Sequence, residues 1–198
     1  MAENRNGTEH KCAFCRQLTV TPEEDAKHYI KQLKKLEKKN HPNGFIQLAI
    51  RYKSGDGVIQ SDTKSLEMCI RAAELGFAPA FAMIGNVYAE GDLVPRDVSK
   101  TLEYHEIAAK KGSIPSRINL ALFHEKNSDI HNSIKHLKVT ACAGHQESMD
   151  KLMQHYRNKS LSKEDLAQTL RAYQASNDLM KSKARDDAQS KIESFFHG

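Results

Sequence analysis

A chain of 198 residues suits one domain or one short array of repeats. Its residues are 39% hydrophobic but only 7% aromatic, with no tryptophan, so small side chains must fill much of the core. The net charge of +5 comes with both signs interspersed, unlike the single basic face typical of nucleic-acid-binding proteins. No stretch approaches the roughly 18 apolar residues of a membrane span, and the first residues, MAENRNGTEHKC, lack the apolar core of a signal peptide. We therefore expect a cytoplasmic or nuclear protein with no membrane partner.

Residues 1–20 are predicted to be a disordered segment that carries a Cys-x-x-Cys motif. Two thiolates at this spacing, Cys12 and Cys15, can supply half of a tetrahedral zinc site, which His10 and His28 could complete. The motif also resembles the closing segment of a RING finger, with alanine in place of the usual proline, although the chain has no room before Cys12 for six more ligands. An incomplete zinc site and a RING remnant therefore both stay open.

Residues 21–41 are predicted to form an N-terminal helix that packs on the array which follows. The run TPEE supplies a cap, a first-turn proline and acidic residues, as helix N-termini prefer. Ile30, Leu33 and Leu36, with Tyr29, form the packing side. The opposite side carries Lys27, Lys31, Lys34, Lys35, Lys38 and Lys39. A solvated face explains these lysines, and a surface for acidic partners or RNA is the alternative.

The central residues 42–156 repeat at an interval of 36 residues. Shifting the chain by this interval aligns Leu48 with Ile84, Tyr52 with Tyr88, Gly55 with Gly91, Lys64 with Lys100, Ala72-Ala73 with Ala108-Ala109, and Gly76 with Gly112. A third copy lacks four residues of the loop, and a fourth begins before the pattern fades. The copies occupy about 42–76, 77–112, 113–144 and 145–156.

Each copy is predicted to form two helices. The first helices, at about 44–54, 80–90, 116–126 and 148–157, place small or apolar residues on one face. The second helices begin at the N-caps Ser61, Asp97 and Asp129 and end at Gly76, Gly112 and Gly144.

These copies resemble the Sel-1-like repeat family, a relative of the tetratricopeptide repeat. The family pattern runs Ala-x-x-x-Leu-Gly-x-x-Tyr, a glycine-rich loop, Asp-x-x-Lys-Ala and an Ala-Ala-x-x-Gly ending. The second copy, AFAMIGNVYAEGDLVPRDVSKTLEYHEIAAKKG, matches it nearly throughout, whereas the third loses the loop glycines. The resemblance covers about 44–156. It implies an all-α fold, a right-handed α–α superhelix or solenoid, in non-catalytic adaptors and scaffolds, some of them in ubiquitin-dependent protein turnover.

Residues 157–198 are predicted to form one or two C-terminal capping helices. Ser162 with Asp165 starts the first, and Leu166, Leu170 and Tyr173 make a packing stripe.

No residue pattern predicts catalysis. The chain has no nucleophile elbow, phosphate loop or dinucleotide fingerprint, so we expect no enzymatic activity and no cofactor, zinc at the N-terminal cysteines being the one alternative. Cys69 and Cys142 are expected to be core or half-buried thiols. His105 and His136 are expected at exposed or half-buried positions.

A partner-binding groove is predicted on the first helices, which line the concave surface in solenoids of this type. Two positions of each helix point away from the packing face, namely Gln47, Ile50, Met83, Asn86, Asn119 and Leu122. This mixture of apolar and amide side chains suits a peptide or a helix of another protein, although Ile50 and Leu122 could instead pack on the next repeat. We therefore expect a protein-interaction scaffold or adaptor. The alternatives are a component related to ubiquitin-dependent turnover and a basic nucleic-acid-binding solenoid.

Overall fold

The computed structural model describes residues 22–196, in which nine α-helices and no strands occur. This confirms the all-α prediction over that range. The helices are α1 (Pro22–Lys38), α2 (Pro42–Ser54), α3 (Asp62–Glu74), α4 (Ala78–Glu90), α5 (Val98–Lys110), α6 (Ile114–Lys126), α7 (Ile130–Cys142), α8 (Gln146–Arg157) and α9 (Lys163–Phe196). The predicted disordered segment 1–20 lies outside the described residues. None of the described helices combines the length and the apolar character that a membrane span needs.

The chain divides into two compact units, whose boundary falls between Ala80 and Phe81 near the start of α4. The first unit contains α1 to α3. Ile30 and Leu33 of α1 are buried, as predicted for its packing side. A β-carbon on Gly44 of α2 would stand 2.6 Å from Cβ of Leu36, so this glycine allows the backbone of α2 to approach α1 closely.

The second helices of the repeats begin and end as the sequence predicts, whereas each first helix begins two residues before its predicted start. The side chains of Ser61, Asp97 and Asp129 each accept a hydrogen bond from the backbone N–H three residues later, and so cap α3, α5 and α7. The glycines that follow these helices have positive φ: 77° at Gly76, 95° at Gly112 and 90° at Gly144. The loop between the two helices of a copy spans residues 55–61 in the first copy and 91–97 in the second, but only 127–129 in the third.

The packing face of each first helix uses small residues, as its pattern predicts. The buried positions that recur from copy to copy are Gly44, Leu48 and Ala49 in α2, Ala80, Ile84 and Gly85 in α4, Ser116, Leu120 and Ala121 in α6, and Ser148 and Leu152 in α8. Because the glycine, alanine and serine side chains among them are short, neighbouring helices pack closely.

The second unit has a core shared by α6, α7, α8 and the turn before α9, formed by Ala121, Leu137, Ala141, Met149, Leu152 and Leu161. The C-terminal cap is one long helix, α9, rather than two, and Ser162 caps its start by accepting from the N–H of Asp165. Leu166 and Tyr173 pack against this core. Leu170 does not complete the predicted stripe, because it is 37% exposed.

Two further expectations are wrong. His105 is buried, with 4% of its surface exposed, because it lies under the first helices of the second and third copies rather than facing water. Cys142 is exposed, because it is the last residue of α7, where the helix gives way to the Gly144 turn. Cys69 is buried as expected.

Candidate functional site

A cavity of about 240 Å³ opens between α4, α5 and α6 in the second unit. It is lined by Asn86 and Ala89 from α4, Thr101, Leu102 and His105 from α5, and Asn119, Leu120, Leu122 and Phe123 from α6. Asn86, Asn119 and Leu122 are exposed and form its rim, whereas Leu120 and His105 are buried and form its floor. The repeat geometry therefore brings three of the six predicted groove residues around one opening.

The rim combines two kinds of side chain that suit a polypeptide ligand. Each asparagine amide offers two N–H donors and one acceptor oxygen, the complement of a peptide backbone. Leu122, 43% exposed, offers apolar surface beside them. A volume of about 240 Å³ is below the roughly 300–1,000 Å³ of ordinary small-molecule pockets. The opening is therefore sized for an inserted side chain rather than a cofactor.

The floor of the cavity is closed by His105, whose ring lies against Gly85. Burial lowers the pKa of this histidine below its usual 6.5, so the imidazole is neutral at pH 7. Its Nδ1 stands 3.4 Å from Oγ of Ser116 on α6. A neutral, packed ring fixes the depth of the cavity and places no charge in it.

The other predicted groove residues lie elsewhere. Met83 is half-buried on α4 and does not line the cavity. Gln47 and Ile50 belong to the first unit, where Gln47 accepts a hydrogen bond of 3.5 Å from the hydroxyl of Tyr29 and Ile50 is exposed.

The sequence pattern missed the contribution of α5 to the cavity, namely Thr101, Leu102 and His105. The sequence predicts a groove on the first helices alone, because helical periodicity does not indicate which residues of a second helix reach between two first helices. The glycine at position 85 was the available signal, because a glycine within a helix often marks the close approach of a neighbour.

A second polar cluster lies at the α6–α7 turn. The rings of His124 and His136 stack with centroids 5.7 Å apart and planes 10° from parallel, and Nδ1 of His124 lies 3.0 Å from Oδ2 of Asp129. Nδ1 of His136 is buried without a hydrogen-bond partner. Burial chiefly, with the nearby His124 and Arg117, lowers the pKa of His136.

Among the side chains that the structure describes, no group of three or more His, Cys, Asp or Glu is arranged to hold a metal ion. The predicted zinc ligands Cys12, Cys15 and His10 lie outside the described residues, so the zinc and RING hypotheses stay predictions.

Comparison with known proteins finds a family match for two of the repeats. Residues 46–77 and 79–113 match the family model of the Sel1 repeat. No curated protein sequence matches the chain.

Two solved structures are similar. A Sel1 repeat protein from Oxalobacter formigenes has 24% identity and a TM-score of 0.58, over 64% of this chain and 98% of that one. The c5321 protein, described as a protective antigen of uropathogenic Escherichia coli strains displaying an SLR fold, has 24% identity and a TM-score of 0.62. That match covers 76% of this chain, which spans about a third (33%) of the antigen.

At 24% identity both likenesses concern the fold. Proteins with Sel1 repeats generally serve as protein-interaction scaffolds, and the fold is typically non-catalytic. Two segments of the chain, residues 46–77 and 79–113, thus match the Sel1 repeat, and the all-α fold is similar to those of solved Sel1-like repeat proteins.

Proposed function

We propose that this chain is a non-catalytic scaffold or adaptor, and that it binds an extended segment of a partner protein at the cavity between α4, α5 and α6. The observation that carries the proposal is the rim: Asn86, Asn119 and Leu122 stay exposed around one opening although they come from two different helices. Amide side chains at such a rim can bind the backbone of a peptide, while the cavity accepts one of its side chains.

An extended segment fits better than a helix. A helix satisfies its own backbone donors and acceptors, so it would leave the rim amides without backbone partners, and it needs a long apolar groove for its side chains. The opening of about 240 Å³ is short and closed at its floor by His105. It therefore suits one anchoring side chain flanked by peptide backbone.

Site-specific photo-crosslinking tests the proposal. A benzoylphenylalanine in place of Asn119 is expected to crosslink a discrete protein in the cell that makes the chain, and the linked peptide should be a single short segment. The same residue in place of Gln174, which is exposed on α9, is the matched control. Identical crosslinks at both positions, or none at Asn119, would contradict the assignment.

Binding to the crosslinked protein is then measured with purified components. The triple variant Asn86→Ala/Asn119→Ala/Leu122→Ala should bind about tenfold or more weakly, because truncation of central contacts typically costs more than 1 kcal/mol. A matched variant with Val98→Ala and Val139→Ala, both exposed elsewhere, should bind within twofold of the parent. Equal affinities of all three proteins would overturn the proposed site.

The alternative role in ubiquitin-dependent turnover rests on the Cys12–Cys15 motif and the family association alone. Zinc analysis of the purified chain tests it directly. A molar equivalent of zinc that is lost in Cys12→Ser/Cys15→Ser would favour that alternative, and a metal-free chain would remove its metal-dependent form.

A further inference from the structure

The first unit holds a second opening, apart from the site proposed above. A groove of about 730 Å³ runs between α1 and the loop that joins α2 to α3. Its lining includes Ala26, Lys27, Ile30 and Lys34 from α1, Tyr52 from α2, residues 55–59 of the loop, and Lys64 from α3. We call this opening the basic groove.

The loop packs closely against α1. A β-carbon on Gly57 would stand 3.1 Å from Cγ1 of Ile30 and 3.2 Å from Cβ of Ala26, so only a glycine brings the loop so near without displacing α1. Gly57 also has a φ of 73°, in the left-handed region that favours glycine. At the start of the loop, Asp56 forms an ion pair with Arg51. The basic groove is therefore formed by contacts within the first unit itself.

The charge of the basic groove is positive. Lys27, Lys34 and Lys64 line it, and Asp56, the one carboxylate among the described lining residues, forms an ion pair with Arg51. The positive surface continues along α1, where a further depression adds Lys31, Lys35 and Lys38. Among the described side chains, no carboxylate forms an ion pair with these α1 lysines. Apart from Glu37, the acidic residues of α1 are confined to its first turn.

The groove also has an apolar rim. Ile59 is 90% exposed, although the removal of a branched aliphatic side chain from water is energetically favourable. It stands beside Val58 and the buried Ile30 in the same lining. A ligand for this surface should therefore combine negative charge with an apolar side chain.

The aromatic rings near the groove favour a peptide over RNA. Single-stranded RNA binds largely by stacking bases on open aromatic rings. The ring of Tyr52 is covered by Nζ of Lys64 at 5.6 Å from its centroid, and the ring of Tyr29 by the guanidinium of Arg51 at 5.0 Å. One face of each ring is therefore occupied by a cation of the chain itself and not offered to a base.

We infer that the basic groove binds an acidic segment of a partner protein, one whose carboxylates meet Lys27, Lys34 and Lys64 and whose apolar side chain packs on Ile59. This second contact is independent of the α4–α6 cavity. The positive charge of the groove would speed the encounter with the partner, and the apolar contact would add affinity that salt does not screen.

The test is selection of peptides from a random phage-displayed library on the immobilised full-length chain. The enriched peptides are expected to combine Asp or Glu with a large apolar residue. The most enriched peptide is then synthesised with a fluorescent label, and its affinity is measured by anisotropy against the parent chain and its variants.

Lys27→Glu/Lys34→Glu should lower the affinity for the peptide about tenfold or more, and Ile59→Asp should lower it by a similar factor. Neither substitution removes a buried contact, because all three side chains are exposed, and circular dichroism checks that the variants fold. The matched control Lys181→Glu/Lys183→Glu reverses two exposed lysines of α9 and should bind within twofold of the parent.

Each of the following outcomes would overturn the inference. The enriched peptides could lack acidic residues, or none could be enriched. The charge-reversed and control variants could bind the peptide equally. A labelled oligouridine could bind the parent more tightly than the peptide does, and Lys27→Glu/Lys34→Glu could abolish that binding; the groove would then bind RNA. Sedimentation could instead show that the parent is a dimer and that Lys27→Glu/Lys34→Glu is a monomer; the groove would then bind a second copy of the chain.

Discussion

The imidazole ring of His105 lies so close to Gly85 that a β-carbon on this glycine would stand 3.3 Å from both Cδ2 and Nε2 of the ring. The repeat alignment gives the equivalent residues in the other copies, which are Ala49 with Cys69 and Ala121 with Leu137. A planar imidazole cannot bend away as an aliphatic chain can. The second copy, which has a histidine at this position of its second helix, is therefore the copy that has a glycine on its first helix.

This relationship predicts a coupling between the two positions. Gly85→Ala gains about 1 kcal/mol of helix propensity, but the new methyl group crowds the ring in a packed core, which typically costs about 1–3 kcal/mol. We expect a net loss of stability in the parent chain. In the His105→Leu background, which copies the third repeat, the carbonyl oxygen of Thr101 still stands 3.3 Å from the added β-carbon, but the ring is gone, so the same substitution should cost less stability or none. Urea unfolding of the four proteins measures the coupling.

The control is Ala121→Gly, in the repeat where leucine already occupies the second position. It should lose stability by about 1 kcal/mol, since no ring requires a glycine there. If Gly85→Ala had the same effect with His105 and with Leu at that position, the contact with the ring would not explain the glycine.

The two histidines with lowered pKa make stability depend on pH. Burial lowers the pKa of both His105 and His136 in the folded chain, whereas unfolding returns each to about 6.5. Below pH 6.5 the unfolded chain therefore binds more protons than the folded one. Their contribution to stability is complete above about pH 6.5 and is lost as the pH falls toward the folded pKa.

Urea unfolding at about pH 7.5 and about pH 5.5 checks this sign. The urea midpoint of the parent is expected to be lower at the acidic pH than at about pH 7.5. His136→Gln should make this difference between the two midpoints smaller. His131→Gln replaces an exposed histidine on the same helix and should leave the difference unchanged. A parent chain that is more stable at the acidic pH would contradict the expectation.

Local chemistry explains why the ends of the helices could be predicted from sequence. A cap such as Asp97 acts on an N–H three residues away, and Gly112 allows a left-handed turn by itself. Neither effect depends on the rest of the fold, and both recur in other copies. The 36-residue interval then gave the helix pairs without knowledge of any distant contact.

The features that could not be predicted depend on contacts between helices. Periodicity places His105 on α5 but not under α4 and α6, so its burial was missed. It places Leu170 beside Leu166, but only the position of α9 on the core decides which of the two is covered. Asn86, Asn119 and Leu122 were selected as outward-facing; that they share one opening follows from the packing of α4 and α6 around α5.

The cysteines should differ sharply in reactivity. Burial raises the pKa of Cys69 to about 11, so on the order of one thiol in a thousand is ionised at pH 8, and its sulfur is shielded from reagents. Cys142 is exposed at the end of α7. Treatment with N-ethylmaleimide followed by peptide mass mapping should label Cys142 within minutes and Cys69 only after denaturation in urea. Equal labelling of the two in the folded chain would contradict the burial of Cys69.

The core of the second unit should be sensitive to the loss of a single leucine. Leu152 is fully buried, at 0% exposure, among Leu137, Met149 and the other members of its cluster. Leu152→Ala removes buried apolar surface and leaves a cavity, for which about 2–5 kcal/mol is typical. Leu179→Ala on α9 is the matched control, because Leu179 is 71% exposed and its truncation removes little packing. Urea unfolding followed by circular dichroism should show a large shift of the midpoint for the first variant and almost none for the second. Equal shifts would mean that α8 does not anchor this core, and that the pattern of small and large residues on the first helices does not organise the packing of the second unit.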